Sequence, residues 1–160
     1  WHSVTRLDGT DSGIAFKGVG ETMYCRIPSG RVLTYHRVRL QASDRGDGHA
    51  LSFEGWNTNP KNGPKGWHRM PTWGGRLVEN INQATCSEIL RAACLVLEAN
   101  GYPVVLHVYD EIAAEIAEGV GSIEEFERLV TEGIRPLIQW AHDWPIRAPG
   151  GYRAKRYRKG

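Results

Sequence analysis

The chain has 160 residues, 41% hydrophobic and 24% charged, with 20 Lys and Arg against 18 Asp and Glu. That apolar share excludes a disordered chain, and the length suits one globular unit able to bury a core. No apolar run approaches the roughly 20 residues a membrane helix needs, and no charged-then-apolar amino terminus reads as a secretion signal. Cys25, Cys86 and Cys94 have no metal-type spacing, and their odd count argues against a secreted disulfide framework, so a reducing compartment is expected. With Trp1 where an initiator Met would stand, the chain reads as a processed or truncated product.

Residues 1–23 are rich in Gly and Asp with little periodicity, and loops with one short amphipathic piece are expected. Gly18-Val19-Gly20 lacks the third glycine of a dinucleotide fingerprint and reads as a turn. Met23–Ile27 and Arg31–Tyr35 alternate around Pro28-Ser29-Gly30, which predicts a hairpin. After the charged stretch 36–47 and a turn at Arg45-Gly46-Asp47-Gly48, Ala50–Trp56 reads as a strand with Leu51 and Phe53 on one side. Residues 57–66 form a flexible loop whose Lys61 and Lys65 either touch phosphate or stay solvated. Trp67 and Trp73 bracket a short connector and read as core or staple residues first, with base stacking by either as the lesser alternative.

A helix is predicted from about Arg76 to Asn100. Leu77, Ile81, Ala84, Ile89, Ala92, Ala93, Val96 and Leu97 make its apolar stripe. Asn100-Gly101 is its left-handed cap and Pro103 forbids continuation. Arg76, Asn80, Gln83 and Ser87 recur at steps of three and four and share a polar face.

Next comes Val104–Ile116, two apolar alternating arms that meet at the adjacent acids Asp110 and Glu111. This predicts a β-hairpin with Val104, Leu106 and Val108 on one face and Val105, His107 and Tyr109 on the other. Two adjacent carboxylates with no base nearby in sequence repel unless they are solvated or bind a cation, and a divalent metal is the natural counter-ion. Beyond it, Ser122 and Glu125 read as a capping box, with Phe126, Leu129 and Val130 turned inward. A short helix over Ile134–Trp140 and a last strand over Pro145–Ala148 are expected, with packing roles for His107 and His142. Charge is segregated: residues 107–132 hold eight acids against Arg128, whereas after Asp143 all six charges are positive. That tail suits phosphate contacts or solubility.

The run Trp73-Gly74-Gly75-Arg76-Leu77-Val78-Glu79-Asn80-Ile81-Asn82-Gln83-Ala84, the pair Asp110-Glu111 and the earlier Pro28-Ser29-Gly30-Arg31 together resemble the palm of family A DNA polymerases, most closely their phage members. The resemblance covers roughly residues 24–159. Tyr109 stands where that family has His, and Trp73 and Arg76 replace its Tyr and Lys. It implies an α+β fold, an antiparallel palm-type sheet packed on helices, forming an incomplete polymerase domain. Residues 24–160 would be the carboxy-terminal part of the palm and 1–23 a remnant of the junction between fingers and palm.

The resemblance further implies that Asp110 is a ligand of catalytic magnesium, with Glu111 a support or weak ligand. Arg76, Asn80, Gln83 and Tyr109 would face DNA, the helix residues along the primer–template minor groove. Two metal ions need a second Asp, and the triphosphate needs a fingers helix. Neither is recognisable before Tyr24. Primer–template DNA, deoxynucleoside triphosphates and an amino-terminal polymerase chain or segment are therefore the expected partners, in the cytoplasm of a bacterial or phage-infected cell and away from membranes. Two other classes stay open: a nucleic-acid-binding remnant without catalysis, and a magnesium-dependent phosphohydrolase or nuclease using Asp110, Glu111 and Glu115.

Overall fold

The computed structural model describes residues 1–42 and 48–156. The turn expected at Arg45-Gly46-Asp47 and the tail residues Arg158 and Lys159 lie outside them. The fold is mixed α+β, as expected, and divides into two compact units, residues 1–85 and 86–160, with the boundary inside the long helix.

The first unit is a six-stranded antiparallel meander: β1 (His2–Thr5), β2 (Asp11–Val19), β3 (Thr22–Arg26), β4 (Val32–Ala42), β5 (His49–Asn57) and β6 (Gly66–Thr72), paired in that order. Residues 1–23, expected as loops, supply two of these strands and the start of a third. Their alternation is broken by glycines and a register shift between Val4 and Thr5, which hides the period-2 signal. Gly20, at φ 56°, sits in the two-residue turn between Val19 and Thr22, as the turn reading required. The hairpin around Pro28-Ser29-Gly30 is also present. Gly30 (φ 87°) donates its N–H to the Ile27 carbonyl at 2.9 Å, and Ile27 N–H reaches the Arg31 carbonyl at 2.9 Å.

One face of this sheet carries the core. Cys25, Ile27 and Tyr35 are buried with Ile81 of helix α1 (Gly74–Ala99), and Phe16, Leu33, Phe53, Leu77 and Ala84 pack around them. Two expectations change here. The connector between Trp67 and Trp73 is largely strand β6, and both indoles are exposed, by 60% and 64%, instead of packing in a core. Trp73 folds over the first helical turn, where a Cβ on Gly75 would fall inside its ring. The loop before β6 is tied down: Asn57 Nδ2 donates to the Gly63 and Pro64 carbonyls at 3.0 and 3.2 Å, beside a 3-10 turn at Pro60–Asn62.

In the second unit Ala92, Ala93 and Leu97 of α1 bury against Tyr102, Leu129, Val130, Ile134, Ile138 and Ala141. The helix ends as its sequence predicts. Gly101 takes φ 78°, Tyr102 N–H bonds the Leu97 carbonyl at 3.0 Å and Gly101 N–H the Glu98 carbonyl at 3.3 Å, the paired closure of a Schellman motif. Strands β7 (Val104–Val108) and β8 (Glu111–Ala114) form their own two-stranded sheet, followed by α2 (Ile123–Arg128). Ser122 caps α2, accepting Glu125 N–H at 3.0 Å. Only half of the capping box forms, because the Glu125 carboxylate accepts from the Tyr102 hydroxyl at 2.6 Å instead of turning back to Ser122.

After α2 the chain continues as a π-turn over Leu129–Gly133 and a 3-10 turn over Gln139–Ala141, in place of a second regular helix. Pro136 removes the N–H that a helix through this stretch would need. Residues 145–148 make no strand, although Ile146 and Ala148 still pack on the core. His107 and His142 are both exposed, contrary to the packing roles expected of them. Among the described residues, no helix is long and apolar enough to cross a membrane.

Candidate functional site

The carboxylate hairpin is built on a stapled base. Glu98 of α1 accepts the Val104 N–H at 2.6 Å, and Glu115 N–H bonds the Pro103 carbonyl at 3.0 Å, so both arms start from fixed points. Val104 pairs with Ala114, but Leu106 pairs with Ala113, leaving Val105 as an extra residue. This bulge exchanges faces along β7. Val104, Ile112 and Ala114 pack toward the core, while Leu106, predicted to share their side, is 40% exposed. Strict alternation from Val104 to Val108 was therefore the wrong template for this arm.

Val108 pairs with Glu111, so Tyr109 and Asp110 are the two turn residues. Tyr109 has φ 56°, a positive value that Asp110 does not share, so the turn carries one left-handed residue. A Tyr in that left-handed position costs about 1–2 kcal/mol relative to an extended one. Being in the turn, Tyr109 does not continue the strand face of His107, and its ring is 88% exposed. Asp110 is exposed at the tip and Glu111, also exposed, opens β8. The two predicted acids are thus adjacent and project from a tight tip. Among the described residues, no three His, Cys, Asp or Glu side chains group as a metal cage.

Arg76, Asn80, Gln83 and Ser87 do line one side of α1, yet in different situations. Arg76 is exposed and donates to the Pro71 carbonyl at 3.2 Å. Gln83 is exposed, with a long 3.4 Å contact to Glu79 one turn back. Asn80 is half-buried, and its Nδ2 donates to the hydroxyl of the buried Tyr35 at 3.2 Å. That bond gives Asn80 a structural duty that the helical spacing alone does not show. Burial raises the Tyr35 pKa, with the Asn80 bond opposing it. Arg76, Asn80 and Gln83 belong to the first unit, and Tyr109, Asp110 and Glu111 to the second.

Sequence reading missed a second feature, the solvent face of the six-stranded sheet. Its signal was available in the alternation of Thr34 and His36, of Glu54 and Trp56, and of Trp67 and Arg69. Trp56 and Trp67 stand opposite each other with ring centroids 6.2 Å apart, edge to face, and His36 lies 6.2 Å from Trp67.

A mixed α+β chain with paired acids on a tight hairpin after a long helix defines a structural class, not an activity. Comparison with known proteins narrows it. Over 138 residues, 86% of this chain, the sequence is 33% identical to the DNA polymerase of Bacillus phage SP02. The chain is therefore related in sequence to a DNA polymerase, and it spans about a fifth of the length of that relative, 20%. No protein-family model and no solved structure matches the chain.

Proposed function

We propose that this chain is the carboxy-terminal palm portion of a DNA-directed DNA polymerase of the family A type, incomplete by itself. Residues 24–160 would form the palm part and 1–23 the junction toward the fingers. The observation that carries this reading is the position of Asp110 and Glu111, adjacent at the tip of a two-residue hairpin turn, in a chain 33% identical to a phage DNA polymerase.

The donor set suits magnesium. Two exposed carboxylates offer hard oxygen ligands, and magnesium characteristically takes one or two carboxylates and leaves its other positions to water and substrate phosphates. Asp110 would hold the ion and Glu111 support it, with a second Asp supplied by an amino-terminal segment. When bound, the metal neutralises charge on the transferring phosphoryl group and acidifies the primer hydroxyl. The exposed turn lets the Asp110 carboxylate approach a primer end without the hairpin moving. Along α1, the Arg76 guanidinium and the Gln83 amide can donate to the minor-groove acceptors common to the base pairs, which tests pair shape without reading sequence. Asn80 contributes from the same side only as far as its bond to Tyr35 allows. Tyr109 lies beside the carboxylate, and its hydroxyl can donate or accept a hydrogen bond, where His could in addition carry positive charge. Primer–template DNA and deoxynucleoside triphosphates are the substrates of this reading.

The test is Asp110→Asn with the chain reassembled with a segment bearing the second Asp and a fingers helix. Extension should fall by more than about 100-fold, beyond the usual loss for a residue that only supports a metal ligand. Primer–template binding should hold, because an amide keeps the shape and loses only the metal-holding charge. Wild-type extension in the variant would remove Asp110 from the metal site. Chelator-insensitive DNA binding without extension in any reassembly would leave the non-catalytic remnant as the function.

A further inference from the structure

We propose that the solvent face of the six-stranded sheet is a docking platform for single-stranded nucleic acid, with bases stacking on Trp56 and Trp67 and phosphates meeting Lys17, Arg26, Arg37 and Arg69. The register places these groups together. Lys17 pairs with Tyr24, Tyr24 with Thr34, and Trp56 with Trp67, so one row of side chains runs from β2 to β4 and another from β5 to β6. At about 4.8 Å between strands, the span from β2 to β6 is roughly 19 Å. The opposite face is closed by the core, while Trp56 and Trp67 are 51% and 60% exposed.

Cations flank the rings. Lys17 Nζ and the Arg26 guanidinium lie 5.9 and 5.3 Å from the centroid of Trp1, holding that indole on the same side. At the other end, β4 carries a bulge between His36 and Arg39, and Arg37 there takes φ 47°. The bulge turns Arg37 onto this face, where it meets Glu54 at 3.1 Å. Arg69 meets the same carboxylate at 3.3 Å and also donates to Ser52 Oγ and the Arg37 carbonyl. Glu54 thus holds two guanidiniums in place and neutralises one of the two charges.

The chemistry selects the occupant. Exposed indoles on β5 and the edge strand β6, with Arg69 two residues from Trp67 and the other cations on β2 to β4, offer stacking for unpaired bases and charge for phosphates, the combination that single-strand platforms use. A duplex would satisfy the cations but keeps its bases out of reach of the rings. An acidic peptide would likewise leave the indoles uncovered. Nothing in this inference needs the carboxylate hairpin or a metal, so it stands or falls separately from the polymerase reading.

The test is anisotropy of a labelled oligothymidylate titrated with the full chain, without metal or nucleotide, across a salt series. Trp56→Ala/Trp67→Ala should weaken single-strand binding by about tenfold or more, with duplex binding unchanged. Trp56→Phe/Trp67→Phe, which keeps smaller rings and the fold, should lie between. Lys17→Ala/Arg26→Ala should reduce the slope of log affinity against log salt by about 1.4, at about 0.7 per phosphate contact on a single strand. Unchanged affinity in the folded double Trp variants would overturn the platform.

Discussion

Removing one oxygen, by Tyr102→Phe, should loosen the base of the carboxylate hairpin. The Tyr102 hydroxyl donates to Glu125 Oε2 at 2.6 Å and accepts the Ser122 N–H at 3.1 Å, and its ring meets Phe126 edge-on at 5.5 Å. It therefore joins the end of α1, the start of β7 and the cap of α2. Phe keeps the ring and its packing, so the loss is the polar pair alone. A hydrogen bond to a charged group contributes about 1.5–3 kcal/mol, and the Ser122 N–H is only half-buried, so water replaces part of its bond. The net cost should be about 2 kcal/mol. With a urea dependence of about 2 kcal/mol per molar, the unfolding midpoint should fall by about 1 M. Circular dichroism and tryptophan fluorescence would follow it. Desolvation, then the Glu125 carboxylate, raises the Tyr102 pKa above its ordinary 10.0. The folded protein therefore keeps this proton longer than the unfolded chain does. The associated stability is complete below pH 10.0 and is lost as pH rises through the folded pKa, a loss that the phenylalanine variant, having no phenol to titrate, cannot show. A midpoint unchanged within about 0.2 M, or identical alkaline profiles, would mean the hydroxyl ties nothing together.

Three other outcomes are expected. Asn80→Ala should destabilise the protein by about 1 kcal/mol, whereas Gln83→Ala should leave stability within about 0.5 kcal/mol and lower extension and salt tolerance in the reassembled enzyme; urea melts beside primer-extension assays separate the two. Tyr109→Asn should raise stability by about 1 kcal/mol in the same melts, because Asn accepts the left-handed turn position, and Tyr109→His should retain extension. Cys25, whose thiol burial pushes up to about 11, should resist a thiol reagent at pH 8 until the chain unfolds, while exposed Cys86 reacts at once.

Much of this molecule was legible without coordinates, wherever information is local. The apolar stripe and the Asn100-Gly101 stop specify α1 because helical contacts and capping bonds close within four or five residues. The hairpin at Pro28-Ser29-Gly30, the turn at Gly20 and the Ser122 cap are local in the same sense. So is the adjacency of Asp110 and Glu111, which needs no tertiary structure at all.

What only tertiary structure decided depends on pairing between distant strands. Residues 2–5 and 11–19 become strands because neighbouring strands supply their hydrogen bonds, a gain that a Gly-rich sequence of weak propensity does not advertise. The bulge at Val105 reverses the expected face of Leu106, since one unpaired residue shifts every later side chain by half a period. Asn80 looks like a free polar residue on a helical wheel, and only the approach of Tyr35, 45 positions earlier, gives it a partner. Trp67 reads as core by hydrophobicity, yet the helix covers the other side of the sheet and leaves it, with Trp56 opposite, in solvent. Composition states how much apolar surface a chain has, and the register and the placement of one helix determine which part of it is buried.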